Sequence, residues 1–129
     1  MALAKILQVE DEKTISDMVE RVLGMEATQV ELARNFQEAM DALNGEGDYS
    51  GLSAYDALLL DMGFPGGNGA DVAREARKGG FTGRIVMFSG RDMEDARTQT
   101  ADIPNVGYIQ KPVRDIFLIR EALEGRYSE

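Results

Sequence analysis

A chain of 129 residues with 43% apolar and 29% charged positions has the size and composition of one soluble globular domain, long enough to bury a substantial core. Its 23 Asp and Glu against 14 Lys and Arg leave a formal charge of -9, which disfavours direct binding to nucleic acid or to anionic membrane surfaces. With neither Cys nor His, zinc and iron sites, thiol catalysis and a Ser-His-Asp triad lack their essential groups, and the remaining hard oxygen ligands suit Mg2+ or Mn2+.

In chain order, the apolar run at about 3–9 predicts a first strand. Lys5 and Glu10 interrupt it too often for a secretory signal or a membrane span, so the expected location is the cytoplasm. A helix follows at 13–24, closing at Gly24, then a strand near 28–33 and a helix at 36–44 that stops before Gly45. The turn-rich stretch Asn44 to Ala54 is long for a helix-to-strand connection and reads as a surface loop without chemistry. Ala57-Leu58-Leu59-Leu60-Asp61 predicts a third strand, 69–78 a helix closing at Gly79-Gly80, and 84–88 a fourth strand. A helix at about 91–101, a strand at 105–110 and a helix at 113–125 complete the series. Strict alternation of continuous apolar strands with helices predicts an α/β fold: a doubly wound, five-stranded parallel sheet with five helices on its two faces.

In such folds ligands bind at the carboxyl ends of the strands, where the strand order reverses. Glu10 and Asp11, Asp61, Ser89 and the pair Lys111-Pro112 all fall at those ends. With strand order 2-1-3-4-5, the first and third strands lie about 4.8 Å apart, and Asp11 and Asp61 come within reach of one cation at roughly 2.1 Å, with Glu10 beside them. Three close carboxylates repel one another, and a divalent cation removes the conflict. The loop is expected on the opposite face.

Taken together, the acid pair, Asp61 followed by Pro65 and Gly69, Ser89, Tyr108 and Lys111-Pro112 resemble the receiver domain of bacterial two-component response regulators, over essentially the whole chain, 1–129. The resemblance implies a flavodoxin-like fold in which Asp61 accepts a phosphoryl group from a histidine kinase or phosphotransfer protein, the partner supplying the donor histidine. It implies Mg2+ held by Asp11, Asp61 and the backbone carbonyl of Gly63, with Glu10 acting through water. By the same resemblance Lys111 compensates phosphoryl charge, Ser89 turns to bond the phosphoryl group, and Tyr108 follows it inward. The switched surface is then the fourth helix, fifth strand and fifth helix, and the Lys111-Pro112 peptide is expected to be cis.

Some segments depart from the family pattern. Ile103-Pro104-Asn105 replaces a Gly-Ala-rich lead into the last strand, and Pro104 is expected to end the fourth helix early. That helix offers only Met93 and Ala96 as buried anchors, so we expect it to be mobile before phosphorylation and ordered after it. Gly63 and Arg91, two places after Asp61 and Ser89, occupy positions that in this family influence acyl-phosphate lifetime, with opposing effects here. In the last helix, Ile116, Ile119 and Leu123 are expected to cluster inward, leaving Phe117 and Leu118 beside the polar side as a partner or dimer surface.

Bland readings exist for each residue. Asp11 and Glu12 at a helix start suit capping, Ser89 suits a turn, and Tyr108 suits an ordinary core aromatic. Two other functions compete: an Mg2+-dependent phosphohydrolase using Asp61 as nucleophile, disfavoured by Gly63 where a general acid would stand, and a phosphorylation-independent interaction module. The leading expectation is a signalling domain, not an enzyme, that acts through a downstream target protein. With the sequence ending shortly after the last expected helix, no output domain is expected within it, and both a stand-alone regulator and a receiver cut from a longer protein stay open.

Overall fold

The computed structural model describes residues 3–90 and 93–129. Five strands, β1 (Lys5–Val9), β2 (Gln29–Ala33), β3 (Ala57–Asp61), β6 (Arg84–Ser89) and β7 (Val106–Gln110), form one parallel sheet in the order β2-β1-β3-β6-β7. Two further strands of two residues each, β4 (Gly63–Phe64) and β5 (Gly67–Asn68), make a separate antiparallel ribbon. The five principal strands therefore have the expected 2-1-3-4-5 order, with the reversal between β1 and β3.

Alternation of side chains sorts the strand residues between two helical layers. Leu7 and Val9 of β1, Leu58 and Leu60 of β3, and Ile85 and Met87 of β6 face α2 (Phe36–Asn44), α3 (Gly69–Lys78) and α4 (Met93–Thr100), which contribute Ala39, Val72, Ala73 and Ala96 to that cluster. Ile6, Leu59, Val86, Phe88 and Ile109 face α1 (Lys13–Gly24) and α5 (Leu118–Leu123), which contribute Val19, Leu23, Ile119 and Leu123. Every residue of β3 is buried, as a central strand covered on both faces requires.

Local chemistry sets the helix ends. Asn35 and Asn68 accept hydrogen bonds from the backbone N–H groups of Glu38 and Asp71, at 2.8 and 3.0 Å, and so start α2 and α3. Gly45 closes α2 with φ of +69°. Between β4 and β5, Pro65 and Gly66 turn the chain, and the φ of +89° at Gly66 is the left-handed position of a type II turn. The 44–54 loop meets the amino end of β1, where Lys5 Nζ donates to Ser50 at 2.7 Å, and runs along the edge strand β2, where the Tyr49 hydroxyl donates to the carbonyl of Leu32 at 2.8 Å.

The last helix differs most from its sequence-based outline. Residues 113–117 are not helical; the backbone N–H of Phe117 bonds the Asp115 side chain at 3.0 Å, and Leu118 and Ile119 make tight bonds three residues back, to Asp115 and Ile116. Helical spacing therefore does not apply to Ile116, which is 37% exposed rather than buried with Ile119 and Leu123. Phe117 is exposed as expected, whereas Leu118 is half-buried against the α1 and α5 cluster. In α4, Ala96 is buried and Met93 half-buried, and Thr100 joins them as an unexpected buried residue; the expected helix start at 91 lies outside the described residues. Among the described residues no helix is long and apolar enough to cross a membrane.

Candidate functional site

Strand ends bring four of the expected residues to one edge of the sheet. Glu10 directly follows β1, and its backbone N–H bonds the carbonyl of Ala33, which continues the β1–β2 ladder by one step. Asp61 ends β3 beside Phe88 of β6. Lys111 follows β7, with its N–H donating to the carbonyl of Ser89 at 2.8 Å, so the β6–β7 ladder places the lysine. The Lys111–Pro112 peptide is cis.

The side chains then converge. Lys111 Nζ donates to Glu10 Oε1 at 2.8 Å and lies 3.4 Å from Asp61 Oδ1, and it sits 5.0 Å from the centroid of the Phe88 ring. Carboxylate oxygens of Glu10, Asp11 and Asp61 all fall within 4.8 Å of one another. Glu10 and Asp61 are buried while Asp11 is exposed, so the cluster has a wet mouth and a dry floor. A cleft of about 490 Å³ opens above it, with Met62, Gly63, Phe64 and Gly90 in its walls.

Burial and neighbouring charge act together on the two buried carboxylates. Burial pushes the Glu10 carboxyl above its usual range, opposed by the hydrogen bond from Lys111 and reinforced by the charge of Asp61. Asp61 is raised as well, chiefly by burial, with the Lys111 charge opposing and the Asp11 charge adding to the rise. One lysine does not neutralise three acids. The donor set, all hard oxygen and open on one side, fits a small divalent cation such as Mg2+.

Glycine shapes the floor. A Cβ on Gly69 would come within 2.2 Å of the Asp61 carbonyl oxygen and 2.8 Å of Met87 Cε, while its own N–H bonds the Met62 carbonyl at 3.0 Å. The start of α3 is thereby pressed against the backbone of Asp61, an approach that only glycine permits. Glu12, at the N-cap position of α1, makes no side-chain cap bond; its backbone N–H instead donates to Glu10 Oε2 at 3.2 Å.

Ser89 is buried at the end of β6, on the cleft wall. Tyr108 stands farther along the sheet in β7, half-buried, its hydroxyl 2.5 Å from Thr100 Oγ1 and its ring 5.3 Å from the Arg97 guanidinium carbon. Phe117 and Leu118 are not in the cleft; they lie at the start of α5. Arg91 lies outside the described residues. Thr100 was missed because nothing in an exposed-looking polar helix marks one threonine as buried; its signal is position, four residues after Ala96 on the same helical face.

A doubly wound sheet with acidic residues and a lysine at its carboxyl edge defines a class, and the chain belongs to the response regulator receiver domain family, whose family model matches residues 6–123. Its similarity to individual proteins agrees. It is 34% identical over 111 residues to the alkaline phosphatase synthesis transcriptional regulatory protein SphR of Synechococcus elongatus, an alignment covering 84% of this chain but 43% of that protein. This chain thus spans less than half the length of that relative. Among solved structures it resembles the phosphorylated cyanobacterial phytochrome response regulator RcpA, with 26% identity, a TM-score of 0.77 and coverage of 97% and 96% of the two chains. The non-phosphorylated HemR receiver domain of Leptospira biflexa is similar too, at 26% identity and a TM-score of 0.76, with 90% and 89% covered.

Proposed function

We propose that residues 1–129 act as one receiver domain in which Asp61 accepts a phosphoryl group from a phosphohistidine on a kinase or phosphotransfer protein. The observation that supports this most is the position of Asp61: a buried carboxylate at a strand end, 3.4 Å from Lys111 Nζ and clustered with Glu10 and Asp11 under an open cleft. One Asp61 oxygen forms the new bond to phosphorus as the N–P bond of the donor breaks, and the bonding pair leaves with the imidazole. Lys111 stabilises charge on the transferring oxygens, and Met62 and Phe64 line the cleft beside them.

Asp11, Asp61 and the Gly63 carbonyl are the groups that would hold Mg2+, with Glu10 at the rear of the site. When bound, the ion supplies positive charge that the carboxylate cluster lacks. Ser89, on the cleft wall, is the hydroxyl that would bond the phosphoryl group, and Tyr108 carries the change towards α4 through Thr100. The altered surface comprises α4, β7 and α5, with exposed Phe117 and the adjoining Leu118 meeting a downstream protein or a second copy of the chain. We place this activity in the cytoplasm and read the domain as a signalling switch rather than a turnover enzyme.

Transfer from a 32P-labelled phosphohistidine donor tests the reading. Label is expected on the wild-type chain and not on Asp61→Asn; label retained by that variant would refute the assignment.

A further inference from the structure

Gln8 is the fourth of the five residues of β1, with 1% of its surface exposed, and neither its amide nitrogen nor its amide oxygen has a hydrogen-bond partner among the described residues. Its neighbours across the sheet are Leu32 and Leu59, so nothing beside it in the ladder can serve the amide. A buried amide with both ends unpaired is costly, and an aliphatic side chain would suit this strand better.

What the amide does have is position. Ile6, Gln8 and Glu10 alternate onto the same face of β1, so Gln8 stands one step below the Glu10 carboxylate. Two residues of strand span about 6.6 Å, and one water accepting and donating at about 2.8 Å per bond spans about 5.6 Å. The two spans are comparable, so one water can bridge the two side chains once their torsions close the difference. Glu10 has lone pairs to spare: Oε1 accepts from Lys111 and Oε2 from the Glu12 N–H, one bond each.

We propose that Gln8 is a positioning residue, whose amide holds an internal water that is hydrogen-bonded to the Glu10 carboxylate and fixes that carboxylate at the floor of the acidic pocket. Lys111 then grips Glu10 from one side and the water from below, which leaves the carboxylate a single orientation towards the cleft. The part of this that concerns metal affinity rests on the phosphoacceptor reading above; the water itself does not.

Two measurements on the full chain test it. Isotope-edited NMR of the metal-free protein should show a cross-peak between the Gln8 side-chain NH2 and a long-lived water. Titration calorimetry should show Gln8→Leu binding Mg2+ about three- to tenfold more weakly than wild type, with an unchanged circular dichroism spectrum. Absence of the water cross-peak overturns the proposal, as does a folded Gln8→Leu protein with wild-type Mg2+ affinity. Should the variant fail to fold, the cross-peak in the wild type decides. A wild-type chain without Mg2+ affinity would contradict the metal-site reading instead, and the cross-peak would still decide for or against the water.

Discussion

The Thr100 hydroxyl lies 2.5 Å from the Tyr108 hydroxyl, joining the last turn of α4 to the edge strand β7. Thr100 is 1% exposed and also donates to the Ala96 carbonyl at 2.8 Å, so its own position is fixed within the helix. With Arg97 over the ring, the tyrosine is held by α4 on two sides.

Thr100→Val keeps the shape and removes the hydroxyl. We expect a loss of about 1 kcal/mol in urea unfolding, together with broader or shifted Tyr108 ring signals by NMR. Unchanged stability and ring signals would show that the bond does not hold the tyrosine.

Gly69→Ala tests the close approach beneath Asp61. Because the new methyl would meet the Asp61 carbonyl and Met87, the strand end and the helix start must move apart. A cost of about 1–3 kcal/mol or more is expected from such overpacking, measured by chemical denaturation. Gly90→Ala serves as the control, since its Cβ would meet only Lys111 Cβ at 3.5 Å and Cδ at 3.8 Å, ordinary van der Waals contacts.

Asp61 carries a pH signature. Its folded pKa is raised above the ordinary 3.8, so the stability linked to its proton is fully present below pH 3.8 and is lost as pH rises through the folded value. At neutral pH the ionised group therefore opposes folding in the absence of metal. Asp61→Asn should melt several degrees higher than wild type at pH 7 without Mg2+, and the gap should close in acid and on adding Mg2+. A lower melting point for the variant at pH 7 would contradict the electrostatic account.

Glu31 behaves in the opposite sense at the far end of the sheet. Burial alone would raise it, but bonds from Ser50, Tyr55 and Lys5 outweigh that and bring its carboxyl down to about 2. Its contribution is present above the ordinary 4.5 and is lost as pH falls towards 2. Glu31→Gln should therefore lower stability at pH 7 and flatten the acid limb between about pH 4.5 and 2, followed by thermal melts across that range.

Much of this architecture can be read directly from the residues. Unbroken apolar runs such as Leu58-Leu59-Leu60 signal strands covered on both faces, and Gly24, Gly45 and Gly79 mark helix ends, so α1, α2 and α3 match their expected bounds. The carboxyl-edge cluster follows from the same topology. What escapes is whatever depends on tertiary context. The late start of α5 turns on one Asp115 side chain capturing a backbone N–H, which helical periodicity does not register. The β4–β5 ribbon is too short to leave a pattern. Gln8 looks like a harmless polar break in a strand until its burial and its missing partners are seen.

The central claim is that Asp61 is the phosphoacceptor of a metal-assisted receiver site. Intact-mass spectrometry after incubation with acetyl phosphate, with and without Mg2+, tests it most directly on wild type and Asp61→Asn. The account predicts a single phosphoryl adduct on the wild-type chain that requires Mg2+ and is absent from the variant. An adduct that survives in Asp61→Asn, or a folded wild-type chain that takes no phosphoryl group from acetyl phosphate or from a phosphohistidine donor, would contradict it.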